Sequence, residues 1–130
     1  MNTVVVKQFC SVLKDFLGDM YKSYPDNSLL TLITATNAMT LVNPNGVLKN
    51  FICCIDPYVE KILCRDESFF LDGGLSKDLS DIDGNYSFLK DELNKVVNIW
   101  NNPSTTLKTK NAIWRYFEVL TKLSMKAVGR

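Results

Sequence analysis

Between Val5 and Tyr21 the apolar residues Val5, Phe9, Val12, Leu13, Phe16, Leu17, Met20 and Tyr21 recur at steps of three and four. That spacing winds them onto one face of an α-helix and offers no register in which a strand could bury them together. The same period returns downstream, and no segment shows the strict alternation of a half-buried strand. The chain is therefore expected to be all-α, a bundle of five to six helices. With 130 residues, of which 46% are hydrophobic, a single domain spanning the whole chain can bury roughly two-thirds of its unfolded surface without a metal or disulfide staple.

Breakers divide the pattern. A first helix over residues 4–23 stops at Tyr24-Pro25, where Asp26 or Asn27 can cap the next helix. A second runs over residues 28–41, with Leu29, Leu32, Ile33, Thr36 and Met39 inward, and ends at the turn signal Asn43-Pro44-Asn45-Gly46. A third begins near Val47 and breaks at Asp56, which caps a new helix opened by Pro57. That helix feeds into Asp66-Glu-Ser-Phe-Phe-Leu71, and residues 73–84, polar and punctuated by glycine, are expected to form a mobile loop. A helix over residues 86–100 puts Tyr86, Leu89, Leu93, Val96, Val97 and Trp100 on one face; the last, over residues 105–126, lines up Ile113, Phe117, Leu120 and Ser124. Trp114, Phe117, Phe69, Phe70 and Trp100 are assigned to the core.

The chemical inventory is thin. No histidine is present, so the commonest base for activating a nucleophile and any mixed Cys/His zinc site are missing, and no glycine-rich phosphate cradle occurs. Cys10, Cys53, Cys54 and Cys64 read as small buried hydrophobes, not as a disulfide framework. Asp81, Asp83, Asn85 and Glu92 fall at calcium-loop positions, but Tyr86 replaces the obligatory glycine and Leu89 a ligand, so a capped turn explains the stretch better. We expect no catalytic residues, no metal and no cofactor. No apolar window approaches the ~20 residues of a membrane span, and the N-terminus does not read as a signal peptide; a cytosolic location follows as an expectation.

Charge is segregated. Residues 56–92 carry ten acids against four bases, and residues 107–130 carry six bases against one acid. The basic helix reads mainly as a solvated face, because its Trp114 and Phe117 lie on the apolar side and leave no stacking ring beside the cations; nucleic-acid binding is not favoured. Segregated charge can instead order subunits and steer self-association. Residues 28–48 contain no charge, so the second helix is either central and buried on most sides, the preferred reading, or presents a weakly solvated face to a partner. For partner contact the expected residues are Thr31, Thr34, Asn37 and Thr40, then Lys108, Lys110, Lys122 and Lys126.

Three phrases, Phe16-Leu-Gly-Asp-Met-Tyr-Lys-Ser-Tyr-Pro25, Tyr58 to Leu71, and Ile113-Trp-Arg-Tyr-Phe-Glu-Val-Leu120, together resemble a group of small helical proteins of nucleocytoplasmic large DNA viruses that infect algae and amoebae. The resemblance implies a viral origin and transfers no catalytic signature. It suggests a non-enzymatic structural protein, a minor capsid or cement component with capsid proteins as partners, located in the virion or the host cytoplasm. The alternative is a cytosolic interaction module directed at the host or the replication factory, with a nucleic-acid-binding accessory factor behind it.

Overall fold

The computed structural model describes residues 1–71 and 87–130, with the side chains of residues 87 and 88 excluded. The expected loop over residues 73–84, Tyr86 and the start of the calcium-like stretch lie outside the described residues. Among the described residues there are six α-helices: α1 (Thr3–Ser23), α2 (Asn27–Val42), α3 (Pro44–Ile55), α4 (Val59–Leu63), α5 (Ser87–Asn101) and α6 (Leu107–Ala127). Single 3-10 turns at Asp56–Tyr58 and Glu67–Phe70 flank the short α4. The protein is an all-α bundle.

Local chemistry sets most boundaries. Asn2 accepts from the backbone N–H of Val4 and Val5, Asp26 from Ser28, and Thr106 from Thr109; each side chain satisfies donors that the first helical turn cannot. Asn43 departs from the expected turn. It closes α2 and at once caps α3, which opens with Pro44 three residues earlier than expected. Asn43 Oδ1 accepts from the Gly46 N–H at 3.0 Å, and a Cβ at position 46 would collide with the Asn43 amide, so glycine is what allows this cap. The break at Asp56 is present, but Asp56 caps nothing; its carboxylate accepts from Arg130 Nη1 at 2.6 Å.

α1 and α6 form the most extensive pairing, and α3 packs on both. The two run antiparallel. Tyr24 at the end of α1 donates to Thr105 just before α6 (3.0 Å), and deeper along the pair the Tyr116 hydroxyl donates to Asp19 while its ring stacks on Phe16 at 4.8 Å. Burial and the neighbouring Asp19 carboxylate push the Tyr116 phenol up to about 12. The core assignments hold for all five aromatics. Phe70 stacks on Trp100 (4.3 Å) and meets Trp114 (4.9 Å) and Phe117 (5.6 Å) edge-on; Phe69 joins Phe117 at 5.3 Å. The chain of rings continues through Phe51 to Phe9. Phe69 and Phe70 are delivered by the 3-10 turn, which Asp66 caps through the Ser68 N–H and Asn101 fastens by donating to the Phe70 carbonyl at 2.7 Å.

Two sequence expectations fail on burial. Cys10 and Cys54 are buried, and burial raises the Cys54 thiol to about 11, but Cys53 and Cys64 are exposed. Adjacent helical positions point about 100° apart, so Cys53 could not follow Cys54 inward. The reading of α2 as a helix buried on most sides also fails. Only Leu29, Thr36 and Thr40 are fully buried, and the rest of the helix is half-buried or exposed.

The end of α4 carries an unusual backbone. Arg65 has φ 56°, and the Arg65 and Asp66 N–H groups bond back to Ile62 and Lys61. This is a left-handed helix stop at a position where glycine is normally favoured. The Arg65 side chain instead reaches Glu118 on α6 at 2.7 Å, and that carboxylate raises the guanidinium pKa. Exposed ion pairs contribute little, whereas a non-glycine residue in this region is strained. Arg65→Gly is therefore expected to leave the melting temperature unchanged or raise it by a few degrees, read by circular dichroism; a fall would show that the pairing to α6 outweighs the strain.

Candidate interaction surface

α2 spreads its apolar residues around the whole helix, so the buried line Leu29, Thr36 and Thr40 has no strongly polar opposite face. What remains outside is two parallel exposed rows. One is Leu30, Thr34, Asn37 and Leu41; the other is Thr31, Ala35, Ala38 and Val42. None of the eight carries charge, and Leu41 and Val42 are each 81% exposed. An uncharged surface of this extent holds water weakly and is cheap to dehydrate. Its hydroxyls strengthen the point. Thr31 donates to the Asn27 carbonyl and Thr34 to the Leu30 carbonyl, both at 3.0 Å, so covering them leaves no donor unpaired.

Grooves border this surface on both sides. Beside its first half, an open groove of about 430 Å³ between α2 and α5 is lined by Ser28, Thr31 and Leu32 on one side and Asp91, Asn94, Lys95 and Asn98 on the other. At the other end, Lys7, Cys10, Ser11 and Lys14 of α1 face Thr40, Leu41 and Pro44 across about 380 Å³. The ends thus differ in charge: Asp26 and Asp91 with Lys95 at the start of α2, two lysines at its finish. Asp26 and Lys95 are 3.5 Å apart.

Behind the α2–α5 groove sits Glu92, which the sequence pattern marks only as one of the ten acids of residues 56–92 and as the last calcium-loop position. Glu92 is 2% exposed. One carboxyl oxygen accepts from the Thr36 hydroxyl, and the other has no partner among the described residues. Burial pushes this carboxyl up to about 7, opposed by the Thr36 bond and assisted by neighbouring Asp91. The signal was in the spacing, since Leu89, Glu92 and Val96 are three and four apart and share the buried stripe of α5. As the last position of the calcium-like stretch, Glu92 is committed to Thr36.

The expected contact residues divide. Thr31, Thr34 and Asn37 lie on the exposed face of α2, but Thr40 does not: it is buried, one turn beyond Thr36 on the inward line, and donates to the Asn37 carbonyl at 2.9 Å. Lys108, Lys122 and Lys126 are exposed on α6, whereas Lys110 is half-buried with its ammonium 5.1 Å from the Trp100 ring centre. Sequence reasoning overlooked Arg115. It falls seven residues from both Lys108 and Lys122 and joins Arg65, Lys108 and Asn111 around a basic groove of about 590 Å³. Trp114 and Phe117 are buried and offer no ring to a base stacked beside these cations. The structure keeps the α2 face and the α6 cations as separate surfaces.

No family model matches this chain, and neither the curated proteins nor the solved structures give a match. Among the described residues no helix is long and apolar enough to cross a membrane.

Proposed function

We propose that this chain is a non-enzymatic interaction protein that works through the exposed face of α2. The observation that carries this reading is the charge-free pair of rows ending in Leu41 and Val42: a helix that packs one narrow line inward and leaves uncharged residues outside, with its exposed Thr31 and Thr34 hydroxyls already bonded to its own backbone, is built to be covered. The lack of histidine and the engagement of Glu92, the one strongly raised carboxyl among the described residues, in the α2–α5 seam support a role without chemistry of its own.

The finer reading is a structural or cement component of a virion, contacting capsid proteins. It is supported by the resemblance of the three sequence phrases and by an uncharged α2 surface that is cheap to dehydrate. The test is quantitative mass spectrometry of gradient-purified virus particles beside infected-cell cytosol, with wild-type protein and Ala38→Glu. Wild type is expected in particles at a fixed ratio to the major shell protein, and Ala38→Glu is expected to be depleted from them. Confinement of wild type to the cytosol would overturn the virion assignment.

A further inference from the structure

We infer that the occupant of the α2 face is a second copy of this chain, seated antiparallel about a two-fold axis near the middle of the helix. This rests on the reading of α2 as an interaction surface and names its partner. The first argument is self-complementarity. A two-fold interface requires one surface to match itself when reversed, and both exposed rows have steps of four, three and four, which read the same in either direction. The residue types are symmetric too. Leu30, Thr34, Asn37 and Leu41 run apolar, polar, polar, apolar; Thr31, Ala35, Ala38 and Val42 run β-branched, small, small, β-branched. Reversal sets Leu30 against Leu41 of the second copy, Thr34 against Asn37, and Ala35 against Ala38.

The polar groups can be satisfied in that arrangement. Thr31 and Thr34 already donate to their own helix, and the Asn37 amide can donate to the free lone pairs of the Thr34 hydroxyl opposite. Facing alanines let the helix axes approach closely.

Charge complementarity supplies the orientation. Antiparallel docking brings the start of α2, where Asp91 is left in excess of the Asp26–Lys95 pair, toward the end where Lys7 and Lys14 line the groove on the opposite flank with Leu41; parallel docking would set the lysine-bearing ends together. The helix dipoles also oppose each other. Since α2 has 16 residues and is about 24 Å long, the contact falls at the small end of specific interfaces, and a micromolar dissociation constant is expected.

The experiment is sedimentation velocity of the full chain from micromolar to submillimolar concentration, with circular dichroism to confirm unchanged helicity of each variant. Wild type is expected to shift from the 14.7 kDa chain mass to twice that value. Ala38→Glu should raise the dissociation constant at least about tenfold by placing two carboxylates at the two-fold axis. The double variant Ala35→Lys with Ala38→Glu should recover pairing, because reversal sets each lysine against the other copy's glutamate. Wild type that stays monomeric overturns the second copy as occupant while leaving the α2 reading intact if Ala38→Glu still leaves the particles. A dimer indifferent to Ala38→Glu overturns the second copy as occupant of this face, and overturns the α2 reading as well if the variant also stays in the particles; a dimer that is weakened but not recovered overturns the antiparallel register.

Discussion

Phe70→Ala is expected to cost about 3–5 kcal/mol of stability, the usual range for removing a buried aromatic ring. Phe70 is 1% exposed and touches four other rings, those of Phe69, Trp100, Trp114 and Phe117. Its loss opens a void that rigid rings cannot collapse into, and the stacked geometry with Trp100 disappears with it. Domains of this size have only about 5–15 kcal/mol in total, so a substantial fraction of the variant should be unfolded at physiological temperature. Urea denaturation followed by tryptophan fluorescence reads this directly, because both tryptophans, Trp100 and Trp114, lie against Phe70. Phe70→Leu should recover part of the loss by refilling volume; a Phe70→Ala midpoint within error of wild type would mean the ring is not part of the cooperative core.

The second large effect is a dependence on pH that runs opposite to ordinary acid denaturation. The Glu92 carboxyl is raised from 4.5 to about 7 in the folded state, so between these values the folded chain holds a proton that the unfolded chain has released. Stability contributed by this group is complete below its unfolded value and is lost as pH rises through about 7, and a rise of that size corresponds to about 3 kcal/mol. Asp26 and Asp66 work in the other sense. Their capping bonds to Ser28 and Ser68 hold them below the usual carboxylate value, so their contribution is lost as pH falls through that lower value. Maximum stability is therefore expected on the mildly acidic side of neutrality. Glu92→Gln keeps an acceptor for Thr36 and cannot ionise, so it should abolish the decline between pH 5 and 8 and exceed wild type at the upper end. Equal slopes for the two proteins in urea titrations across that range would refute this account.

The helices that were easiest to read are those whose faces differ most. α1, α5 and α6 carry a clear apolar stripe, and Asp26 is a side-chain cap recognisable from sequence, so their extents fall within a residue or two of expectation. α2 was misjudged for the converse reason. With no charge to mark a wet side, its polarity does not say which line packs, and Thr40 went to the wrong one. Pattern could have corrected that, since Leu29, Ile33, Thr36 and Thr40 are spaced four, three and four apart. The same spacing rule would have exposed Glu92. Arg65 is different, because nothing in Leu63-Cys64-Arg65 announces a left-handed stop; it is fixed by α4 meeting α6, a tertiary fact.

The antiparallel union of α1 with α6 bears on how the molecule comes to be folded. Tyr24 meets Thr105 and Asp19 meets Tyr116 across 81 and 97 positions of sequence. Closing a loop of that size has to precede the reward for closing it, which slows folding relative to bundles whose neighbours are consecutive. Phe9, Phe16 and Phe51 leave the ribosome long before Phe117 arrives to join them, so the nascent chain carries an unfinished aromatic core until α6 is made. During that interval the earlier helices are exposed to wrong association, and the aromatic core can close only when α6 has emerged.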